Sequence, residues 1–80
     1  MSETLFDFDD ANLRLEWFIQ ACRLIGGQRA MAQAIKVNER NVRYWVAGEK
    51  PLRDGVINDA AEALRLHAEA CLAAADRKPR

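Results

Sequence analysis

The chain has 80 residues, of which half are hydrophobic and 30% are charged, and its net charge at neutral pH is zero. This composition is typical of one small folded domain and excludes an intrinsically disordered chain. No apolar run is long enough to cross a bilayer, and the acidic start MSETLFDFDD lacks the apolar core of a secretory signal. We therefore expect a cytoplasmic protein.

The first predicted element is a helix with an unusually wide apolar surface. Residues 1–8 are predicted to form a loose N-terminal arm ahead of a domain that spans residues 9–76. Asp9 or Asp10 is predicted to cap the helix, which ends near Ile25 because two glycines follow. Its apolar residues form two neighbouring stripes, Leu13, Trp17, Ala21 and Leu24, and Leu15, Phe18, Cys22 and Ile25. Such an arc is wider than one core needs, so either the phenylalanines of the arm or another subunit should cover the excess.

Two short helices are predicted next. One runs from Gln28 to about Ile35, and the other runs from Glu39 to about Ala47, with Gly48 as a left-handed C-cap. The residues of the earlier helix that are predicted to face inward are Met31, Ala34 and Ile35.

A long final helix completes the predicted elements. Asp54 is predicted to cap it, and it should reach about Asp76, after which residues 77–80 form a basic tail. No segment has the alternating pattern of a strand. The sequence therefore predicts an all-α fold of four to five helices, with the two short helices at its centre and the long helix at its C-terminal end.

The zero net charge hides a local excess of cations. Residues 28–53 hold six cations against two acidic residues, a net charge of +4. Residues 1–27 hold two cations against five acidic residues, and residues 54–80 hold four against five. Such a concentration is typical of a surface that binds a polyanion, although a solvated charged face is the commoner meaning of such a run.

The segment that carries this charge also has the residue types of a helix-turn-helix. That motif needs a small residue where its helices cross, apolar anchors beside the turn, and inward apolar residues on the second helix. In chain order, the residues of these types are Ala32, Ile35, Val37, Val42 and Trp45.

This segment resembles the lambda repressor/Cro-like helix-turn-helix family of bacterial and phage regulators. The resemblance covers residues 28–51, QRAMAQAIKVNERNVRYWVAGEKP. The matching positions are Gln28, Ala32, Ile35, Val37, Val42 and Trp45. The family usually has glycine in the turn, where this chain has Lys36, and a left-handed lysine costs roughly 1 kcal/mol. The resemblance implies a helix-turn-helix over residues 28–47.

The resemblance also implies which side chains contact DNA. Gln28, with Arg29 beside it, would touch phosphate at the amide end of its helix, unless Gln28 is only a polar helix start. The residues that would face the major groove are Asn38, Glu39, Arg40, Arg43 and Tyr44. Independently of the resemblance, arginine can pair with guanine O6 and N7 in that groove. Lys50 and Arg53 lie just beyond the helix, where they are well placed for phosphate.

The predicted groove residues also have plainer interpretations. Arg40 and Arg43 are then solvated surface charges, and Asn38 is only a helix cap. Glu39 either accepts a hydrogen bond from a cytosine or complements the helix dipole. Tyr44 either packs against the core or presents its hydroxyl to a phosphate.

A homodimer is expected, because so small a core is marginal and because one helix-turn-helix makes few base contacts. The final helix, with help from the first, would form the interface, through Leu64, His67, Ala68, Cys71 and Ala75. The alternative is that the final helix folds back along the first within one chain.

The sequence thus predicts a sequence-specific DNA-binding transcriptional regulator, a repressor that reads a palindromic operator as a homodimer. The alternative is a protein-interaction module that keeps the fold without binding DNA. We expect no enzyme, since the chain has no nucleophile–base pair and no phosphate loop. No cofactor, metal or small-molecule ligand is expected either. Cys22 and Cys71 are predicted to be reduced, partly buried thiols, and the alternative is a disulfide or a redox switch.

Overall fold

The computed structural model describes residues 11–79, which form four α-helices. They are α1 (Ala11–Ile25), α2 (Gln28–Ile35), α3 (Glu39–Val46) and α4 (Asp54–Asp76). No strand occurs in residues 11–79, so the predicted all-α class is confirmed. The predicted arm, the predicted caps at Asp9 and Asp10, and the last residue of the tail lie outside the described residues.

The core lies where α1, α2, α3 and the first half of α4 meet. Phe18, Met31 and Val42, one from each of the first three helices, are its largest fully buried side chains. The remaining buried residues of this cluster are Ala21, Cys22, Ile25, Ala32, Ala60 and Ala63. The buried stripe of α1 is narrower than its apolar arc, since Leu24 remains 59% exposed.

One inward prediction for α2 is wrong. Ala34 is exposed, whereas Met31 is buried and Ile35 is half-buried. Because successive helical residues are about 100° apart, Ala34 lies about 60° from Met31 and about 100° from Ile35 around the helix, to one side of the face that those two residues share. In a helix of two turns, that rotation takes it out of the core.

The two halves of α4 have different environments. Ala60 and Ala63 are buried and Leu64 is half-buried, but every described residue from Arg65 onward is exposed. The helix has 23 residues, a length of about 34 Å at a rise of about 1.5 Å per residue. We call residues 65–76 the free half of α4. No helix in residues 11–79 is both long enough and apolar enough to span a membrane.

The start of α4 differs from the prediction. Arg53 holds the N-cap position and makes no side-chain cap hydrogen bond, whereas Asp54 is the first helical residue. The Asp54 carboxylate accepts a hydrogen bond from the Arg14 guanidinium, which also donates to the Leu52 carbonyl at 2.8 Å. Arg14 therefore ties the first turn of α1 to the entry of α4, and Asp54 acts as an ion-pair partner rather than a cap.

The turn between α2 and α3 is closed by a left-handed lysine, at the position where the resembling family usually has glycine. Lys36 has φ 62° and ψ 47°, and its N–H donates to the Ala32 carbonyl. The Val37 N–H donates to the same carbonyl at 3.0 Å. These bonds satisfy the end of α2, while the lysine carries the strain that glycine would avoid.

Lys36→Gly is accordingly expected to stabilise the protein. Relief of the left-handed strain outweighs the extra conformational entropy of glycine in the unfolded chain. The free energy of unfolding should therefore rise by about 0.5–1 kcal/mol. Thermal denaturation should show a Tm higher by roughly 2–8 °C. Lys36→Ala, which removes the charge but keeps the strain, is the control and should melt like the parent. A Lys36→Gly protein that melts at or below the parent would contradict the strained turn.

Candidate nucleic-acid interface

Packing of α2 against α3 turns one face of α3 outward. Ala32 is 3% exposed and Val42 is fully buried, so the small residue and the first inward residue of the predicted motif are both in the core. Ile35 and Val37 pack against that core as partly buried residues on either side of the turn. With Val42 directed inward, the opposite side of α3 faces away from the protein.

Trp45 is only partly in the core. Its ring meets Phe18 edge to face, with centroids 5.9 Å apart and an interplanar angle of 88°. The remainder of the ring lines an open cavity together with Leu15 and Pro51. The prediction that Trp45 is a core residue therefore holds for one edge of the ring, because α3 ends one residue later and nothing described covers the other edge.

The first turn of α3 is held by its own side chains. The Asn38 Oδ1 accepts a hydrogen bond from the Arg40 backbone N–H at 2.8 Å, which confirms Asn38 as the N-cap. Glu39 lies in that first turn, where a negative charge complements the helix dipole. Its Oε2 is also 3.8 Å from Nη1 of Arg43, one turn later. Both groups are substantially exposed, so this ion pair contributes little to stability.

The outward face of α3 carries the two predicted arginines. It also carries the C-cap residue Ala47, which sequence reasoning missed. Arg40, Arg43 and Ala47 are all exposed, and at about 100° per residue they fall on the side opposite Val42. Tyr44 is half-buried beside them. We call Arg40, Arg43, Tyr44 and Ala47 the α3 face. Arginine suits guanine edges, and an exposed alanine methyl suits the methyl group of thymine.

A tight turn after α3 returns Lys50 to the α3 face. The Glu49 N–H donates to the Tyr44 carbonyl at 2.8 Å, and the Gly48 N–H donates to the Trp45 carbonyl at 3.1 Å. Gly48 has φ 78°, so it serves as the predicted left-handed C-cap residue of this motif.

As a result, the Lys50 ammonium lies beside two side chains of α3. Its Nζ is 4.9 Å from the centroid of the Tyr44 ring and 3.4 Å from the Asn41 Oδ1. Sequence reasoning missed Asn41, although asparagine on a helix that enters the major groove can pair with adenine, and this residue type was an available signal. Lys50 is thus held at the edge of the α3 face rather than projecting from an unrelated loop.

The other predicted DNA contacts lie on separate elements. Gln28 is the first residue of α2 and is half-buried, whereas Arg29 is exposed. Gly27, at the N-cap of α2, provides no side-chain cap, so the amide end of this helix has no side-chain acceptor from its cap residue. Arg53 is exposed just before α4. The structure therefore groups Lys50 with the α3 face and places Gln28, Arg29 and Arg53 at two other helix starts.

Four of the five predicted interface residues lie on the free half of α4. His67, Ala68, Cys71 and Ala75 are exposed, whereas Leu64 is half-buried and packs against the core of its own chain. A polar substitution of Leu64 would therefore act on folding as well as on any interface. The prediction of partial burial is wrong for Cys71, because α4 extends past the core before reaching it.

The two cysteines have different environments. Cys22 is buried in the core and Cys71 is exposed, and neither forms a disulfide. Burial raises the pKa of the Cys22 thiol to about 11 from its ordinary value of 9.0. Cys22 is therefore protonated, and poorly nucleophilic, at neutral and mildly alkaline pH.

Thiol labelling should separate the two cysteines. At pH 8, with a chelator present, a thiol-specific alkylating reagent is expected to modify Cys71 rapidly and Cys22 slowly, because a rise of two pKa units lowers the thiolate fraction about a hundredfold. Mass spectrometry should find one fast label in the native chain and two in denaturant. Equal labelling rates for both thiols in the native chain would contradict the burial of Cys22.

Comparisons with other proteins add nothing to this geometry: no family model, curated protein or solved structure matches the chain. Within one chain, residues 11–79 contain no group of three or more side chains placed to hold a metal ion. The α3 face and its neighbours remain the strongest candidate site.

Proposed function

We propose that the protein is a sequence-specific DNA-binding transcriptional regulator that inserts α3 into the major groove. One observation carries this proposal: α3 buries Val42 against α2 and presents Arg40 and Arg43 on its exposed side. A helix of this kind fits the major groove, and its arginines can pair with guanine edges. Lys50, held beside Tyr44, supplies a cation at the end of the same helix.

The proposal assigns different tasks to the surrounding residues. Tyr44, Asn38 and Asn41 offer hydrogen-bonding groups next to the arginines. Gln28 and Arg29 at the start of α2, and Arg53 before α4, would contact phosphate and set the register of the protein on the duplex.

The regulator is proposed to act in the cytoplasm as a homodimer that represses transcription from a two-fold symmetric operator. The free half of α4 supports the dimer, since it extends an exposed helix face well past the core of its own chain. In such a dimer the same surface meets itself across a two-fold axis, and two α3 helices can reach half-sites about 34–36 Å apart.

The competing proposal is a protein-interaction module with the same fold. The Glu39–Arg43 ion pair favours it, because it places a carboxylate within 3.8 Å of a proposed groove-reading guanidinium. A gel shift with random genomic duplex DNA at increasing salt separates the two. A regulator binds at low salt with an affinity that falls steeply as salt rises, whereas an interaction module binds no DNA at any salt concentration.

Lys50→Ala and Arg53→Ala should weaken binding to all sequences alike. Each removes one proposed phosphate contact, so the slope of log affinity against log salt should fall by about one unit. Fluorescence anisotropy on a selected duplex and on a scrambled duplex measures both effects. Lys78→Ala, in the tail, is the matched control and should leave the slope unchanged. An unchanged slope in Lys50→Ala and Arg53→Ala would show that these residues do not contact the DNA phosphates.

A further inference from the structure

The free half of α4 carries a histidine and a cysteine that face each other. The His67 Nε2 is 3.6 Å from the Cys71 Sγ, and both side chains are exposed. The helix spacing of four residues places them one turn apart on one face. Two side chains at this spacing on one helix can ligate the same zinc ion.

The distance between the two atoms matches the edge of a tetrahedral zinc site. Zinc–sulfur bonds of about 2.3 Å and zinc–nitrogen bonds of about 2.0–2.1 Å, at a tetrahedral angle of about 109°, separate neighbouring sulfur and nitrogen by about 3.5–3.6 Å. The two ligand atoms are therefore already at the separation that a shared metal ion requires, and little rearrangement of either side chain is needed.

The surroundings of the pair suit a close approach by a second helix. On that side of α4 the residues beyond the pair are small, namely Ala74 and Ala75, whereas the residue one turn before the pair is Leu64, which packs against the core. Glu69 and Asp76, the two acidic residues of the free half, lie on the opposite side of the helix at about 100° per residue. No carboxylate of the free half therefore points with the pair, so the ligands available there are one imidazole and one thiolate.

We propose that the His67–Cys71 pair is one half of a zinc site, which the same pair of a second copy completes. This inference rests on the proposed homodimer and adds that zinc controls its formation. Two ligands from each chain make a four-coordinate site of two cysteines and two histidines, the set that structural zinc sites use. The thiol protons pass to solvent as the sulfurs bind. The metal lies on the two-fold axis and joins the free halves of the two α4 helices.

Zinc then controls the distance between the two α3 helices, because it fixes how the subunits are joined. A metal that binds the dimer and not the separated chains stabilises the dimer by mass action. The affinity of the protein for a two-fold symmetric DNA site should consequently rise with zinc.

The test uses the full chain, kept reduced with a phosphine, and titrates Co²⁺ or Zn²⁺ as the probe. We expect about half an equivalent of Co²⁺ per chain, with a sulfur-to-cobalt charge-transfer band and the visible bands of a tetrahedral ion. Analytical ultracentrifugation should show that zinc lowers the dimer dissociation constant about tenfold or more relative to chelator-treated protein. His67→Ala and Cys71→Ser should lose both effects, and Glu69→Ala, the matched control, should retain them.

Because the three substituted residues are exposed, far-UV circular dichroism should be unchanged in every variant. Any of three results would overturn the zinc site: no sulfur-to-cobalt band, one equivalent of metal bound by a monomer, or a dimer dissociation constant that zinc leaves unchanged. A gel shift in chelator separates the two proposals. DNA binding that persists there while cobalt fails to bind rejects the zinc site alone, and cobalt binding without any DNA binding rejects the regulator alone.

Discussion

Phe18→Ala is expected to remove a large part of the free energy of unfolding. Phe18 is fully buried, and its ring meets Trp45 edge to face. Truncating a core phenylalanine costs about 3–5 kcal/mol, and the lost aromatic pair adds about 0.5–1.5 kcal/mol. A domain of this size has a total stability of about 4–12 kcal/mol. Urea denaturation followed by circular dichroism should therefore show a midpoint reduced by about a third or more.

Leu72→Ala provides the matched control for that substitution. Leu72 is 68% exposed on the free half of α4, so its truncation should change the free energy of unfolding by no more than about 0.5 kcal/mol. If Phe18→Ala and Leu72→Ala had similar urea midpoints, the assignment of Phe18 to the centre of the core would be wrong.

The second large effect is expected from the double variant Arg40→Ala/Arg43→Ala. Each arginine is proposed to read a base, and each loss costs about 1–3 kcal/mol in specific binding. The two losses together, about 2–6 kcal/mol, should reduce affinity for a selected operator by roughly thirtyfold to twenty-five-thousandfold. Removal of Arg43 also leaves Glu39 without its ion-pair partner at the proposed groove. Both arginines are exposed, so the melting temperature should stay close to that of the parent.

The double variant Arg65→Ala/Lys78→Ala removes the same amount of charge from α4 and the tail that follows it. Arg65 bonds to Glu62 on the far side of α4, and neither cation belongs to the proposed DNA interface. This control should bind the operator nearly as tightly as the parent in an anisotropy titration. Equal losses of operator affinity in the two double variants would mean that only net charge matters. That result would contradict the proposal that the α3 face reads the DNA sequence.

Local chemistry explains why much of the fold was predictable. Asn38 caps α3 with its own side chain, and Gly48 ends that helix with a positive φ. Lys36 adopts the left-handed conformation that the turn requires. Each feature depends on residues only a few positions apart, so the sequence pattern contains the whole interaction. The burial of Val42 followed from the same local periodicity.

The remaining features depend on groups that are distant in the chain. Asp54 pairs with Arg14, forty residues earlier, and no local pattern distinguishes that role from a helix cap. Lys50 reaches Asn41 only because the turn at Gly48 reverses the chain. Leu64 and Cys71 share one apolar pattern along α4, but the core ends between them. Where a helix leaves its core is a property of the packed domain, not of its own periodicity.

Selection of binding sites from a pool of random duplexes tests the central claim most directly. If α3 reads the major groove in a two-fold dimer, the enriched sequences should contain inverted half-sites with centres about 34–36 Å apart, or a multiple of that spacing. Guanines should be prominent among the enriched positions, as contacts from Arg40 and Arg43 require. A folded protein that enriches no sequence over the starting pool would contradict the proposed function.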